Sequence, residues 1–407
     1  MIDIPNLRHL NAFIEVANTQ SISKASERIY LSQPAITQAI SKLEKNIKTT
    51  LFERRSDGMY LTKAGEDFSF RVKRALEQIH TGIKDAVRIG KGGKKLLTNS
   101  RAIAVTTTQL RALLAVSEAQ NYTEAGRRIG VSQSSLYRAS RELEGCLDLV
   151  LFEKTSIGIC ISKAGQSLVR ATKLAFSEIK QGLDEIQINN NVSSGSIVIG
   201  SMPLARTCIL PDAINEFTAR YPDCTIHIID GPYHDLLYHL RNGEIDVLIG
   251  ALRFPTPVCD IKQETLFASP NSILVRKEHP LITKDNLSLQ ELAAQSWIVP
   301  RQSTPARQMF DNIFTENNCD KPNQIIEASS QALIRELLLG SDKLAMLSKH
   351  QAYRELEEDK LAVIPFPLAN QERPIGITLR KNWQATTIQE HFIHLLRDKG
   401  LELSGVQ

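Results

Sequence analysis

The sequence lacks the features that mark membrane, secreted and metal-binding proteins. No stretch approaches the ~18 consecutive apolar residues that a membrane-spanning helix needs. The first residues, Met1 to Asn6, hold neither a basic cluster nor an apolar run, so no signal peptide is predicted and we expect a cytoplasmic protein. The 6 cysteines form no Cys-x-x-Cys pair and stand at no zinc-ligand spacing, so we expect free thiols and no bound metal.

The sequence motifs of common enzymes are also missing. No G-x-S-x-G, H-E-x-x-H, S-x-x-K or G-x-G-x-x-G pattern stands in the strand or helix context that a catalytic site requires. His227, His234 and His239 lie near Asp235 in the chain, which suggests a metal site. On a predicted helix over 234–241, however, His239 faces another direction than His234, so we interpret these side chains as solvated or core residues. We therefore expect neither an enzyme nor a cofactor.

Length and composition indicate a folded protein of several domains. The 407 residues suffice for two to four domains, and 42% hydrophobic with 23% charged residues is a globular balance. The net charge of +4 is unevenly distributed, because residues 1–100 carry 17 basic against 10 acidic side chains and residues 188–407 carry 21 against 26. A basic front half favours a polyanionic partner, although a solvated basic surface would give the same count.

An internal repeat with a period of 100 residues organises the first half of the chain. Between residues 10–65 and 110–165, 20 of 56 positions are identical, against about 6% expected by chance. Ser32-Gln33 recurs as Ser132-Gln133, and Leu51-Phe52-Glu53 recurs as Leu151-Phe152-Glu153. Two copies of domain size indicate a duplicated module rather than a solenoid.

Each copy has the pattern of a winged helix-turn-helix. Apolar residues from Leu7 to Ala17 recur at helical spacing, and a second helix is predicted over Ser23–Ile29. Ser32 is placed to cap a third helix, with Pro34 in its first turn where a missing N–H costs nothing. A β-hairpin then follows around Gly58. Such a fold places the third helix in the major groove of DNA, with the hairpin as a wing.

The exposed face of the third helix carries the candidate base-reading residues. Glutamine bonds adenine through two hydrogen bonds, and arginine on the wing neutralises phosphates. The predicted DNA-binding residues of the first module are Ser32, Gln33, Pro34, Thr37, Gln38, Lys42, Arg54 and Arg55.

These residues carry a resemblance to a known family. The pattern S-Q-P-A-I-T-x-x-I-x-x-L-E, followed by L-F-E-R and L-T-x-A-G, resembles the winged helix-turn-helix of LysR-type transcriptional regulators. The motif spacings match over about 60 residues. Members of that family normally have one such module, whereas this chain has two, which we predict at residues 1–62 and 106–162.

The second copy departs from the family pattern in several places. Ser134 replaces Pro34, and Gly130 replaces Tyr30 in the turn. Gly126 and Gly145 stand inside predicted helices, where each costs about 1 kcal/mol of helix propensity relative to alanine. Its outer face remains polar and basic, and either arginine on it could read guanine. The predicted DNA-binding residues of the second module are Gln133, Tyr137, Arg138 and Arg141. The alternative is a degenerate copy that serves packing or dimerisation.

A long helix with an apolar stripe follows each module. We predict linker helices over 63–90 and 163–192. A Gly- and Lys-rich flexible connector over 91–105 joins the first of these helices to the second module. The resemblance implies that such helices pair two chains into a dimer. Because both copies lie in one chain, the two helices could instead pair with each other and form an intrachain pseudo-dimer.

The C-terminal half alternates strands and helices, which is typical of an α/β fold with largely parallel sheets. The order of strands and of the motif G-E-I-D-V-L-I-G resembles the family's effector-binding domain, which is similar to type 2 periplasmic binding proteins. The resemblance implies two subdomains with a ligand cleft between them. We predict subdomain I over 193–268 plus 371–407 and subdomain II over 269–370.

Residues after the predicted strands are the candidate effector ligands, because ligands of open α/β sheets lie beyond the carboxyl ends of strands. Hydroxyls and helix N-termini can bond a small molecule, and Arg301 favours an anionic or carboxylate effector. Each residue could equally be an ordinary turn or capping residue. The predicted effector-binding residues are Ser201, Met202, Ala251, Arg301, Ser303, Thr304 and Ser329.

Together these features predict a DNA-binding transcriptional regulator of LysR type, controlled by a small-molecule effector of unknown identity. Double-stranded DNA is the expected partner, RNA polymerase a further one, and a homo-oligomer is expected. The alternative function is a cytoplasmic small-molecule-binding protein of periplasmic-binding fold with a vestigial DNA-binding region. An enzyme on the same fold would need a catalytic group in the cleft, which the sequence does not offer.

Overall fold

A computed structural model describes residues 4–90, 104–156, 158–189, 195–302, 304–368 and 372–405. The chain divides into two compact units near residue 196. Most of the predicted flexible connector, residues 91–103, lies outside the described residues. Val105, which we placed in that connector, is instead buried in the apolar core of the N-terminal unit.

The first module has the predicted three helices and a hairpin. The Ser21 side chain caps the second helix, which begins at Ile22, one residue before the predicted start. The Ser32 side chain accepts a hydrogen bond from the Ala35 N–H at the start of the third helix. The elements are α1 (Leu7–Thr19), α2 (Ile22–Ile29), α3 (Gln33–Ile47), β1 (Phe52–Arg55) and β2 (Gly58–Leu61).

The second module repeats this arrangement element by element. Gly130 ends a helix at φ 72°, a left-handed conformation that suits glycine, whereas Tyr30 adopts φ 54° in the first module. A Cβ at Gly126 would lie 2.6 Å from the carbonyl oxygen of Val131, so this glycine permits a close turn. The elements are α5 (Thr107–Ala119), α6 (Tyr122–Ile129), α7 (Gln133–Leu147), β3 (Phe152–Thr155) and β4 (Gly158–Ile161).

The two linker helices, α4 (Lys63–Gly90) and α8 (Lys163–Asn189), pack against each other within the chain. Gly82 meets Ala171 while Gly90 meets Ala164, so the helices run antiparallel. Thr172, a polar residue within the apolar stripe of α8, is buried, and its hydroxyl donates to the Leu168 carbonyl oxygen at 2.8 Å. One apolar core therefore joins both modules and both linker helices.

The C-terminal unit is built on a nine-stranded sheet in the order β10-β9-β11-β8-β13-β7-β5-β6, with β12 beside β8. Its strands are β5 (Gly195–Ser201), β6 (Cys224–Asp230), β7 (Val247–Ala251), β8 (Ile261–Arg276), β9 (Trp297–Val299), β10 (Ile325–Glu327), β11 (Leu344–Ser348), β12 (Leu361–Ile364) and β13 (Glu372–Arg380).

Helices connect most of these strands, as expected for an α/β unit. They are α9 (Pro203–Thr207), α10 (Ile209–Arg220), α11 (Tyr233–Arg241), α12 (Leu289–Ala293), α13 (Pro305–Thr315), α14 (Gln331–Leu339), α15 (Tyr353–Glu357) and α16 (Thr387–Gly405). Short 3₁₀ segments occupy Pro280–Thr283 and Lys349–Gln351.

The sheet is mixed, and not largely parallel as we predicted. The pairs β5/β7, β9/β10 and β9/β11 are parallel, but β8 runs antiparallel to β11, β12 and β13. The 16-residue β8 was predicted only over its last five residues, because its first half alternates too weakly to be recognised. Separate apolar clusters include the two ends of this long strand, one over residues 236–261 at its start and two over residues 273–364 at its end.

None of the helices that the structure describes is both long and apolar enough to cross a membrane. All six cysteines are free. Burial raises the pKa of the Cys208 thiol to about 12 and that of Cys224 to about 11, so both remain protonated at neutral pH.

Candidate nucleic-acid and effector sites

A buried carboxylate fixes the wing to the third helix in each module. Glu44 Oε1 accepts hydrogen bonds from the Leu51 and Phe52 N–H groups at 2.7 and 3.2 Å. Glu144 accepts the equivalent bonds at 2.8 and 3.1 Å. Our sequence analysis did not assign these glutamates a role, although their identity in both copies was the available signal. They make the wing and the reading helix one rigid unit.

The face of α3 that we predicted to read bases is open to solvent. Gln33, Gln38 and Lys42 are exposed, and the Gln33 amide donates to the Ser23 hydroxyl at 3.3 Å. Thr37 is half-buried, and its hydroxyl bonds the Gln33 carbonyl oxygen at 3.0 Å. Pro34 lies in the first turn of the helix. These side chains therefore form one polar surface at the helix N-terminus, with Lys42 two turns further along.

The two predicted wing arginines differ in how they are held. The Arg55 guanidinium contacts the Glu53 carboxylate at 3.0 Å and stacks 4.8 Å from the Tyr60 ring centre. Arg54 is exposed on the opposite side of the strand. In the second module, Lys154 and Thr155 take these positions and are also exposed. Both wings thus present at least one cationic side chain.

The second module keeps an exposed polar face on α7, but holds it differently. The Gln133 side chain accepts a hydrogen bond from the Thr123 hydroxyl at 3.1 Å. Tyr137 packs edge-on against Tyr122, with ring centres 5.5 Å apart, and is 43% exposed. The structure therefore brings the four predicted residues of this module to one surface.

The two candidate guanine readers of the second module are not equivalent. The Arg141 guanidinium bonds the Glu144 carboxylate at 2.7 Å and lies 5.2 Å from the Tyr137 ring centre. Arg138 is 78% exposed, and its only described ion pair, with Glu142, spans 3.8 Å. Arg138 is thus the more available of the two for contact outside the protein.

The residues predicted to bind an effector are spread over the C-terminal unit. Ser201 is fully buried at the end of β5, and Ala251 lies buried in β7. Met202 packs against Gly250, and the Thr304 hydroxyl caps α13. Arg301 and Ser329 are exposed in loops, and Ser303 lies outside the described residues.

Two other arginines form a cationic pair that sequence analysis missed. Arg253 follows β7, and the Leu252 N–H bonds the Pro374 carbonyl oxygen, which sets Arg253 opposite Arg373 of β13. Burial, and then the charge of Arg253, lowers the pKa of Arg373 to about 10, and burial lowers that of Arg253. Within the described part of the chain, no carboxylate pairs with either guanidinium. Only the register of β7 and β13 brings the two together.

Two side chains with buried polar atoms that lack described hydrogen-bond partners, Asn271 of β8 and Tyr233 of α11, lie near this arginine pair. In register, Arg373 stands opposite Ser269, and Asn271 lies two residues further on β8, hence on the same face of the sheet. The Asn271 amide is 6% exposed, and neither its nitrogen nor its oxygen has a described hydrogen-bond partner. The Tyr233 hydroxyl, below Arg253, is also buried and unpartnered among described residues. Buried polar atoms of this kind are normally satisfied, so this surface fits a polar ligand.

A separate cavity of about 430 Å³ opens between α9–α10 and α14–α15. Apolar side chains, including Leu338 and Leu361, and three arginines line it. None of the six predicted effector residues that the structure describes lines it.

Comparison with known protein families agrees with the geometry. The family "Bacterial regulatory helix-turn-helix protein, lysR family" matches twice, at residues 7–66 and 107–166. The family "LysR substrate binding domain" matches residues 190–400. The two helix-turn-helix matches coincide with the two modules.

Curated relatives are transcriptional regulators. The regulator GalR of Pseudomonas putida is 32% identical over 379 residues, which cover 93% of each chain. The regulator PcaQ of Agrobacterium fabrum is 24% identical over 294 residues, or 72% of this chain and 94% of its own.

Solved structures share the fold at low sequence identity. A full-length OxyR variant of Pseudomonas aeruginosa has a TM-score of 0.52 at 22% identity and covers 72% of this chain and 93% of its own. LysG of Corynebacterium glutamicum with bound effector Arg has a TM-score of 0.51 at 16% identity and covers 72% of this chain and 97% of its own. CbnR complexed with its target DNA has a TM-score of 0.51 at 18% identity and covers 72% of this chain and 98% of its own. Each of these leaves more than a quarter of this chain unmatched, about the length of one module with its linker helix.

Proposed function

The chain belongs to the LysR family of DNA-binding transcriptional regulators, which are not enzymes, and on that premise we propose that its two modules bind the two halves of one DNA site. The observation that carries this proposal is the second module, which keeps the fold, the wing fixed by Glu144 and an exposed polar α7. A vestigial copy would not need an open reading surface. Because such a regulator acts on the genome, we place it in the bacterial cytoplasm.

In the first module we assign base reading to Gln33, Thr37 and Gln38. Gln33 and Gln38 are exposed near the helix N-terminus, where base edges are met. Ser32 and Pro34 shape that N-terminus, and Lys42 is placed for phosphate contact. Arg54 and Arg55 neutralise phosphates from the wing.

In the second module we assign guanine reading to Arg138 and a positioning role to Arg141. Arg141 is held by Glu144 and Tyr137, so moving it to a base would break a 2.7 Å ion pair. Arg138 has no such restraint at 78% exposure. Gln133 and Tyr137 complete the surface. The two halves of the site therefore differ in sequence, since the two helices carry different side chains.

The C-terminal unit is the family's effector-binding domain, and we propose that its effector is a small anion. Two half-buried guanidiniums without a described carboxylate partner, Arg253 and Arg373, support this charge. Asn271 and Tyr233 offer further hydrogen bonds. We assign Arg301, Ser303, Thr304 and Ser329 to the rim of the site, and Ser201, Met202 and Ala251 to its support.

Effector binding then shifts the balance between arrangements of the C-terminal unit that bind the effector with different affinity. We propose that this shift alters the placement of the modules on DNA, and hence DNA bending and contact with RNA polymerase. The clusters at the two ends of β8 mark the two bodies that such a shift would move.

The decisive experiment for DNA binding is a footprint on sites selected from random sequence, with wild type, Gln33→Ala and Gln133→Ala. We expect Gln133→Ala to remove protection from one half of the site and Gln33→Ala from the other. If Gln133→Ala changes nothing, the second module does not read DNA. If wild type selects no sequence, sequence-specific binding itself is refuted.

The effector proposal is tested by thermal shift with acetate, benzoate, succinate and the neutral benzamide. At least one carboxylate should raise the melting temperature, and Arg253→Gln and Arg373→Gln should abolish the shift. Arg220→Gln serves as the control, because Arg220 is exposed and lies outside the assigned site. A carboxylate shift that survives both Arg253→Gln and Arg373→Gln would place the anion elsewhere.

A further inference from the structure

The interface between α4 and α8 is asymmetric although its two helices come from a duplicated module. Two glycines, Gly82 and its repeat equivalent Gly182, each let the opposite helix approach. A Cβ at Gly182 would lie 2.9 Å from the Cβ of Arg71, and one at Gly82 would overlap the Cβ of Ala171. Arg71 and Ala171 are themselves equivalent in the repeat. The two halves of the interface are thus related by the repeat but carry different side chains.

Arg71 is the centre of a buried charge cluster across this interface. Its side chain is 2% exposed, and its guanidinium bonds the Glu185 carboxylate at 2.6 and 3.0 Å and Glu178 at 3.2 Å. Gln181 accepts a further hydrogen bond at 3.2 Å, and Arg74 bonds the second Glu178 oxygen at 2.8 Å. Burial alone would lower the pKa of Arg71, but the Glu185 and Glu178 carboxylates hold it above its ordinary value.

The same cluster cannot form between two identical helices. In a pair of two α4 helices from two chains, Arg71 would face Gln78, Thr81 and Asp85, which stand 100 positions before its present partners. One of its two carboxylates would be lost. In a pair of two α8 helices, Ala171 and Leu174 would stand where Arg71 and Arg74 now neutralise Glu178 and Glu185. Buried charges without partners are strongly unfavourable, so both identical pairs are disfavoured.

A second contact at the start of the modules has the same asymmetry. The Leu7 N–H donates to the Thr107 hydroxyl at 2.9 Å, and that hydroxyl donates to the Pro5 carbonyl oxygen at 3.1 Å. Leu7 and Thr107 are equivalent positions of the repeat. Between two first modules a leucine would stand where the hydroxyl is, and two buried backbone groups would lose their partner.

We propose that these contacts make the linker-helix interface selective for the α4 and α8 of one chain, so that a second copy of the chain is excluded from it. One chain then supplies the complete pair of modules for one DNA site, and any association between chains uses the C-terminal unit. The buried charges disfavour a pair of two α4 or two α8 helices from different chains. A pair of α4 from one chain and α8 from another is disfavoured because the α8 of the same chain is present at a higher effective concentration. The consequence for DNA rests on the proposed function, whereas the helix pairing does not.

A disulfide trap on the full chain tests this pairing directly. A Cβ at Gly90 would lie 3.5 Å from the Cβ of Ala164, a separation within the range of a disulfide. The atom closest to this added Cβ would be Leu149 Cδ2 at 2.7 Å, which is the far end of a flexible side chain. We would unfold ¹⁵N-labelled and unlabelled Gly90→Cys/Ala164→Cys chains together, refold and oxidise them, and analyse the linked peptides by mass spectrometry. Each single substitution controls for the six native cysteines.

We expect linked peptides that are wholly light or wholly heavy. Mixed-isotope links would show exchanged helices between chains and overturn the proposal, as would the absence of any 90–164 link. The variant Gly90→Cys/Ala64→Cys reports two paired α4 helices, because Ala64 is the repeat equivalent of Ala164. It should give no more covalent dimer than the single substitutions, and more dimer would overturn the proposal.

Charge selectivity is tested in the same trap. Arg71→Glu should reduce the 90–164 link by at least tenfold, and Arg71→Glu/Glu185→Arg should restore most of it by exchanging the charges. An undiminished link in Arg71→Glu would refute the role of charge. Equal loss in both variants, with helix content retained by circular dichroism, would refute it too. The disulfide trap contains no DNA and tests only the pairing of α4 with α8, whereas the footprint tests only DNA binding by the two modules. Either proposal can therefore be refuted while the other holds.

Discussion

In the first module the outer face of α3 presents Gln38 and Lys42, whereas the second module places Arg138 and Glu142 at the same positions. The contacts that build the two modules scarcely differ. Glu44 and Glu144 fix the wings with the same pair of hydrogen bonds. Gly58 and Gly158 let the wings approach the Gln20 and Gln120 carbonyl oxygens at the end of the first helix of each module. The two copies therefore retain the contacts that fold them and have separated in the side chains that they present to a partner.

The largest effect is expected where the copies differ inside the protein. Arg71→Ala leaves Glu178 and Glu185 buried without their principal cation and should lower the free energy of unfolding by about 3–5 kcal/mol. The equivalent Ala171 carries no charge. Circular dichroism in urea measures the loss, while fluorescence follows the C-terminal unit, which holds both tryptophans. Arg88→Ala, an exposed ion pair with Asp85, is the control and should cost below about 1 kcal/mol. Equal losses in the two variants would contradict the burial argument.

The next effect tests the contact that the copies share. Glu44→Ala should leave two backbone N–H groups without an acceptor and lower the free energy of unfolding by about 1.5–3 kcal/mol. Glu144→Ala should lower it further, because this substitution also removes the ion-pair partner of Arg141. Hydrogen exchange at Leu51 and Phe52, or at Leu151 and Phe152, should accelerate in the affected wing only. The exposed Glu53→Ala controls for the charge change. Unchanged exchange in Glu44→Ala would show that the wing does not depend on this carboxylate.

The third effect concerns the surface where the copies differ. Arg138→Ala should cost about 1–3 kcal/mol of discrimination against the wrong base in the second half-site. The first half-site should be unaffected. Competition binding on sites substituted in either half measures this. Matching losses on specific and random DNA would instead make Arg138 a phosphate contact.

A smaller effect separates the wings. Arg54→Ala should weaken binding to all sequences and reduce the slope of log K against log salt by about one. Lys154→Ala should do the same from the second wing, since both side chains are exposed. Titrations at several salt concentrations provide the slopes. An unchanged slope for Lys154→Ala would leave the second wing off the phosphates.

The smallest effect is a pH dependence that the modules do not share. The pKa of Arg373 is lowered to about 10, so the cation required for anion binding persists at neutral pH and is lost as pH rises through about 10. Carboxylate affinity should therefore be constant between about pH 6 and 9. Calorimetric titration of benzoate, or of whichever carboxylate shifts the melting temperature, checks this. A fall in affinity already near pH 8 would point to another titrating group.

Periodicity, caps and the repeat predict much of this protein without tertiary information. Ser32, Pro34 and the apolar spacing of residues 7–17 predict the helices of the module, because capping and amphipathicity act within a few residues. The 100-residue repeat places the second module in the same way. The wing glutamates and the first eleven residues of the antiparallel strand β8 were missed, since their partners lie beyond such a local window.

Which distant residues meet depends on the folded chain as a whole. Arg253 and Arg373 are 120 positions apart and come together through the register of β7 and β13, which no local pattern encodes. Likewise, the apolar stripes of the linker helices predict that they pair, but not with which partner. The meeting of Arg71 with Glu178 and Glu185 decides that, because a buried charge is stable only where the fold brings the opposite charge to it.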